Sequence, residues 1–421
     1  MLKLLWPLGA ALLILGACYN CFAVLNLPIV VPRPASTSAP STGLQIQSPT
    51  GSAHLPARYR AGTESHSGRE KILGSATVTG HDVSLDEAGA LISPATKFRV
   101  IILRTPGYRQ AIAGAAGGGR WVGLGLPSGN RHFSHALLGR IGRKGVVDLN
   151  PKGFEWSMAA GTDGRVQVGC GQMSDGRGGA LLWSGTARSV ILLNPNGFKF
   201  SMAVSVRSGQ QVGFGEASGG RDYAMLWRGT AGSFLNLNPK GFVSSKASAT
   251  DGVHQVGFGK LPNGKTHALL WRGSAASAVD LNPQGYASSE ARGISGGETV
   301  GDGRPQGVAG EHAILWPTPA KKIVDLNPSG WHVSCANATN GRQQVGYAAS
   351  RVHGMAHAML WDGTPESAID LQKVLPRRYS LSEAYAITSR GTIFGLASGR
   401  GRKHVVAVEW LPVKAHPSER K

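Results

Sequence analysis

Apolar residues in this chain come in short runs closed by Gly, Pro, Asn or Asp, and from Val100 onward the runs recur in one order. The order is S-x-A, then Q-V-G-x-G, then H-A-x-L-W, then D-L-N-P-x-G-aromatic, and it repeats every 44 or 45 residues. The Asn-Pro pair falls at Asn150, Asn194, Asn238, Asn282 and Asn327, and the Trp at Trp183, Trp227, Trp271, Trp316 and Trp361. Short apolar runs between turn residues are strands, so each repeat predicts one four-stranded antiparallel sheet. Sheets repeated at this period pack around an axis as the blades of an all-β propeller. Gly supplies 60 of the 421 residues, as a chain that turns this often requires.

The V-G step, Phe-Gly in its last copy, occurs seven times, at Val122, Val168, Val212, Val256, Val300, Val345 and Phe394. The S-x-A strand also occurs seven times, with its first Ala at Ala111, Ala159, Ala203, Ala247, Ala291, Ala336 and Ala384. The D-L-N element appears only six times, from Asp148 to Asp370, and its missing copy lies ahead of the first block, in residues 99–103. Strands crowd near a propeller axis, so the small-residue S-x-A strand is expected innermost. The reading is a seven-bladed propeller over 99–413, closed by pairing 100–103 with 404–410 as the outer strand of the last blade. Such closure leaves no free sheet edge at the join. Asn-Pro-x-Gly reads as a type I turn with Asn first and Gly fourth. Asp163-Gly164, Asp251-Gly252 and Asn340-Gly341 read as hairpin turns.

H-A-x-L-W beside G-x-Q-V-G resembles the HAF class of extracellular repeats of exported bacterial proteins. The resemblance covers about three quarters of the chain. It implies an exported propeller and no common activity, so it carries over no catalytic residue. The D-L-N-P-x-G extension departs from the usual pattern, and Gly139 stands where the first block should have Trp.

The N-terminus fits export. Residues 1–23 combine Lys3, an apolar run and small residues, the composition of an export signal. Leu15-Gly16-Ala17-Cys18 resembles a bacterial lipobox, which implies lipidation of Cys18 and, with Tyr19 behind it, an outer-membrane or cell-surface address. The competing readings are cleavage after Ala23, giving a periplasmic or secreted protein, and an uncleaved anchor interrupted by Pro7 and Asn20. Residues 24–70, rich in Pro, Ser, Thr, Ala and Gly, read as a disordered tether. Residues 71–98 take no assignment, and 414–421 form a basic tail. Cys170 sits in the slot of Phe214, Phe258 and Tyr347, and Cys335 in that of Met158 and Met202. These blades lie too far apart for a disulfide, so both read as unpaired packed thiols.

Lys and Arg outnumber Asp and Glu by 44 to 24, for a net charge of +20. That balance suits a polyanion partner, and it equally suits simple solubility. The loops between the second and third strands carry cations in every copy: Arg131, Arg177, Arg221, Lys260 with Lys265, Arg304, Arg351, and Arg400 with Arg402 and Lys403. The opposite face is basic as well. No G-x-S-x-G, H-E-x-x-H, P-loop or C-x-x-C pattern is present, and nothing resembles a nucleic-acid module. His135, His267, His312, His357 and His404 come one per blade and cannot converge on one ion, so they read as hydrogen-bonding between blades. No metal, cofactor or catalytic residue is expected.

Repeated residues serve the scaffold, so function belongs where the copies differ. One such register flanks the fixed Ala of the inner strand: Gln110, Met158, Met202, Lys246, Glu290, Cys335 and Glu383 before it, and Ile112, Ala160, Val204, Ser248, Arg292, Asn337 and Tyr385 after it. Lys246, Glu290, Arg292, Glu383 and Tyr385 form a polar arc and are the candidate binding residues. The competing reading is ion pairing between neighbouring blades, such as Lys246 with Glu290. The expected function is a non-enzymatic, envelope-tethered propeller, a monomer that binds an envelope partner or an anionic polysaccharide. Its only membrane contact is the N-terminal anchor. The alternative is a glycoside hydrolase or lyase using the axial carboxylates.

Overall fold

The computed structural model describes residues 97–129, 133–317, 322–350, 354–399 and 404–413. The export signal, Cys18, the tether and the basic tail lie outside the described residues. Within them, seven four-stranded antiparallel sheets form, one for each repeat. The inner strands are Tyr108–Gly117, Phe154–Thr162, Phe198–Arg207, Ser244–Thr250, Tyr286–Ser295, Val333–Thr339 and Leu381–Ile387. The protein is a seven-bladed β-propeller. Its ring closes as the strand arithmetic predicts: Phe98–Ile102 pairs with Val405–Pro412, with Val100 opposite Trp410 and Ile102 opposite Val408. The Leu103 amide extends the join by donating to the Ala407 carbonyl at 2.9 Å.

Each inner strand carries one extra residue where it faces the V-G step. In the second blade Ala159 opposes Gly169 and Gly161 opposes Val168, so Ala160 bulges out of the ladder. Its counterparts are Gly114, Val204, Ser248, Arg292, Asn337 and Tyr385. The bulge drives a carbonyl into the neighbouring strand. A Cβ on Gly169 would lie 1.9 Å from the Met158 oxygen, and the V-G glycine of every other blade meets the equivalent oxygen at 1.9 or 2.0 Å. That close approach, rather than an unusual φ, is why the step requires Gly.

The pairing also corrects the register of the first blade. Gly123 opposes Ala113, so Ile112 and Gly114 flank the fixed Ala there, two residues later than the Gln110–Ile112 reading. Alanines at 111, 113 and 115 offered alternative alignments, and only the bulge distinguishes them.

Blades join through a repeated polar clamp beneath an apolar seam. Ser157 Oγ donates to Asn150 Oδ1 at 2.6 Å and accepts the Ala136 N–H at 3.0 Å. Ser201, Ser245, Ser289 and Ser334 repeat the bond to Asn194, Asn238, Asn282 and Asn327 at 2.6 or 2.7 Å. Asn150 Nδ2 also binds the Phe154 carbonyl at 3.1 Å. The Asn is therefore a joint rather than the first residue of a type I turn. The turn hydrogen bond instead runs from the Phe154 amide to the Pro151 carbonyl. Gly153 stands third with φ +87°, as a type II turn demands. Above the clamp, Val122, Ala136 and Leu138 of one blade pack on Ala159, Leu181 and Trp183 of the next.

The seam between the seventh and first blades is built differently. Ala111 stands where Ser would be, and Arg104 where Asn would be. Trp121 replaces the Gln of the second strand, and its indole fills the space over Gly139, where a Cβ would lie 2.1 Å from Trp121 Cε2. The missing Trp of the first block is thus supplied from the opposing position on the adjacent strand. Glu409 takes the slot of Leu138 and Leu360 and is 1% exposed. Burial pushes its carboxyl up, with Arg99 drawing it back down.

The repeated His residues act within blades, not between them. His135 Nδ1 lies 2.7 Å from Asp148 Oδ2, and His267, His312 and His357 pair likewise with Asp280, Asp325 and Asp370. The other oxygen of Asp148 accepts the Asn150 amide at 2.8 Å, so the Asp residues also serve the turns.

A chain beginning at Lys97 keeps the closing strand, and one beginning at Arg104 lacks it. The shorter chain is expected to lose more than about 4 kcal/mol of stability, the range of a lost structural element. Urea denaturation of the two compares them directly. Equal midpoints would show that the closing strand contributes nothing.

Candidate functional site

The bulge residues and the residues beside them surround an axial cavity of about 1040 Å³, lined by all seven inner strands. Its wall is mixed. Ile112, Leu124, Met158 and Val204 from the first three blades make an apolar stretch, with Thr162, Ser205 and Arg207 also lining the cavity there. Ser248, Glu290, Arg292, Asn337, Tyr347 and Tyr385 make a polar group. A second cavity of about 570 Å³ is lined by Lys265, Asp302, Arg304, Glu311 and Cys335, and opens beside the loops between second and third strands. Glu290, Arg292 and Tyr347 line both cavities.

The five residues singled out in the sequence fall into three local groups. Lys246 is buried and places Nζ 3.0 Å from Asp222 Oδ2 of the preceding blade, 4.1 Å above the Phe214 ring. Arg292 binds Asp302 through Nε and donates from Nη2 to Glu290 Oε2 at 3.1 Å. Tyr385 donates its hydroxyl to Glu383 Oε2 at 2.6 Å. Pairing between blades therefore holds for Lys246, with Asp222 as its partner, whereas Arg292 pairs within its own blade. Lys246 still acts on Glu290 through its charge.

Asp302 is the site residue the sequence reading missed. It opposes Glu290 in the column that holds Leu124, Cys170, Phe214, Phe258, Tyr347 and Leu396 in the other blades. A charged side chain in an otherwise apolar column was the available signal. Asp302 also accepts the Cys335 thiol at 3.3 Å, and Asn337 donates to the Ala384 carbonyl at 2.8 Å. Cys170 and Cys335 are both free and buried.

Electrostatics inside this group are strongly perturbed. Burial pushes the Glu290 carboxyl up to about 7, Asp302 and Glu311 add to the rise, and Arg292 and Lys246 oppose it. Burial disfavours the charged Arg292 guanidinium, but Asp302, Cys335, Glu290 and Tyr347 outweigh it and hold the proton firmly. Burial likewise drives the Cys335 thiol well above its usual range, so it is no nucleophile at neutral pH. Among the described residues, no group of three His, Cys, Asp or Glu side chains can hold a metal ion.

The cation ring is only partly within view. Arg131, Arg351, Arg400, Arg402 and Lys403 lie outside the described residues. Arg177 is paired with Asp175 at 2.7 Å, and Lys265 and Arg304 line the second cavity.

Asp222→Ala is expected to cost about 3–5 kcal/mol, because it removes the carboxylate paired with the buried Lys246 ammonium. Adding Lys246→Met should recover part of that loss. Thermal melts of the single and double variants decide it, and a neutral single variant would remove the ion pair from the account.

No family model matches the chain, and no curated protein does, so the HAF resemblance stays a likeness of short motifs. Among solved structures, the chain resembles the β-propeller domain of the Trilobed protease from Pyrococcus furiosus (TM-score 0.52, 8% identity, 72% of this chain and 93% of that one). It also resembles a structure from a study of two prolyl endopeptidases (TM-score 0.52, 12% identity, 69% of this chain and 46% of that one). A looser likeness is to the BP39L lectin from Burkholderia pseudomallei (TM-score 0.44, 12% identity, 73% of this chain and 98% of that one). The chain spans about half the length of the puromycin hydrolases it matches, 50% and 52%. Identities this low show a shared propeller fold alone. The Pyrococcus domain is described as having an open velcro topology, whereas this ring is closed by strand pairing.

Proposed function

We propose that this protein is a non-enzymatic binding propeller of the cell envelope that takes its ligand in the axial cavity. The observation that carries the reading is an axial cavity of about 1040 Å³ whose lining joins an apolar stretch, Ile112, Leu124, Met158 and Val204, to a polar group around Arg292. The carboxylates that would serve a hydrolase are engaged in holding the site together, Glu290 on Arg292 and Glu383 under the Tyr385 hydroxyl. The protein is exported, and Cys18 anchors it at the outer membrane or cell surface. Without lipidation it is periplasmic or secreted.

A second reading has one observation in its favour. Glu290, pushed up to about 7, is half protonated near neutral pH and has the acidity of a general acid for glycoside cleavage. Under that reading the chain is a carbohydrate-active propeller.

Ligand-observed NMR of the full chain against envelope sugars and small organic compounds is expected to find binders that Ala160→Trp excludes, because residue 160 faces the axis. Binding that ignores this plug would overturn the axial reading. Turnover of a polysaccharide that is lost in Glu290→Gln or Glu383→Gln would replace it with the second. Mass spectrometry of the mature protein should find a diacylated N-terminal Cys18. A free N-terminus at Val24 would make the protein soluble after export.

A further inference from the structure

We propose that the axial cavity binds an amphipathic organic acid, its carboxylate held by the Arg292 guanidinium and its apolar body laid against Ile112, Leu124, Met158 and Val204. The inference rests on the binding reading above and names the ligand class of that cavity.

The lining charges point to an anion. Among the described residues that line the axial cavity, the charged side chains are Arg207, Arg292, Arg390 and a single acid, Glu290. Arg292 is positioned without being saturated. Asp302 fixes its Nε and Glu290 takes one bond from Nη2, while Nη1 has no partner among the described residues. A guanidinium offers five N–H donors in a rigid fork, and the fork fits a carboxylate. Arg292 is therefore oriented by one acid and keeps donors for a second.

A second observation lies on the adjacent blade. Ser248 is the bulge residue of the fourth blade, lines the same cavity and is only 8% exposed. Its hydroxyl has no partner among the described residues. A hydroxyl that faces the cavity can donate to an acceptor oxygen on a ligand. Ser248, Arg292 and Tyr385 supply polar contacts on one side, while Ile112, Leu124, Met158 and Val204 offer an apolar stretch on the other. A head-and-tail molecule matches this division, and a uniformly polar sugar does not.

Glu290 sets when the ligand binds. It faces Arg292 on its own strand, Asp302 and Glu311 in its own blade, Lys246 in the preceding blade, and Cys335 and Tyr347 in the next. Protonated Glu290 leaves Asp302 as the sole anion on Arg292, so the ligand carboxylate takes the second place. Ionised Glu290 competes for that place. The ligand's own carboxylate stays ionised throughout this range. Affinity therefore falls as pH rises through the neutral region, by up to about tenfold per pH unit when one proton is linked to binding.

Titration calorimetry of the full chain with decanoate, decanol and decylamine tests the assignment. Decanoate is expected to bind saturably near about pH 6 and to weaken about tenfold or more by about pH 8.5, through this proton linkage. Glu290→Gln should bind decanoate equally at both pH values. Arg292→Lys should weaken it at least about tenfold, through loss of the planar fork. The wild-type pH series needs no variant, so misfolding of Arg292→Lys leaves the test intact. Decanol binding as tightly as decanoate, or decylamine binding in its place, would overturn the anion assignment. If other compounds bind in a manner blocked by Ala160→Trp while decanoate never binds, the cavity is a binding site and this ligand class is wrong. If nothing binds in a manner the plug blocks, both readings fail.

Discussion

The contact between a bulged carbonyl and a glycine underlies everything else in this propeller. Each inner strand carries one residue more than its neighbour can pair, and the surplus pushes a carbonyl into the space where a Cβ would be, 1.9 Å away at Gly301 for example. Only Gly accepts that approach, so the V-G step is fixed by the bulge and not by the turn nearby. The bulge frees one side chain per blade from the ladder and gives it to the axis. Ser248, Arg292, Asn337 and Tyr385 reach the cavity for this reason. Scaffold and site are thus two outcomes of a single backbone irregularity. The scaffold keeps the glycine and the Ala opposite it constant, while the bulged residue is left free to vary.

Around that inner ring, blades are joined by apolar packing and, at six of the seven seams, one buried hydroxyl. The Ser side chain accepts an amide and donates to an Asn, so the hydroxyl, the amide and the Asn oxygen are all paired at the joint. The sixth seam adapts the pattern: Ser382 accepts the Ala358 amide, and Gln372 reaches the Tyr379 carbonyl in place of Asn. Only the seventh seam, where the chain ends meet, gives up the clamp and relies on strand pairing and on Trp121.

The fold was legible because its signal is repeated. Strand count and the missing fourth strand ahead of the first block pointed to seven blades and to closure by residues 100–103, and the closing strand spans residues 98–102. What escaped was specific to single copies or to side-chain choice. In the first blade, alternating alanines made the register ambiguous, and no spacing rule chooses among them. The Asn of Asn-Pro looked like a turn residue because nothing in one repeat shows the Ser of the next blade waiting for it. The His residues found partners 13 positions away on the outer strand of the same blade, a distance that only sheet order reveals. At the site, the varying register located Lys246, Glu290 and Arg292, but Asp302 sits in a column that is apolar elsewhere and Asp222 lies just ahead of the H-A-x-L-W register, on the third strand. A column expected to be scaffold hid the acid that orients the arginine.

The odd chemistry of the closing seam bears on how a chain of near copies finds its ends. Six blades present closely similar third strands, and a short N-terminal strand would meet comparable backbone on each of them during folding. The seventh differs where it matters: Glu409 stands in place of Leu, close to Arg99 on the incoming strand, and the first blade offers Trp121 over Gly139 instead of a Trp on the third strand. Discrimination between similar partners comes from features that the wrong partners lack. A buried acid beside an arginine adds little to stability and can add to selectivity. The seam that departs from the repeat thus gives the ring an address for its own beginning, so that seven interchangeable units close in one order.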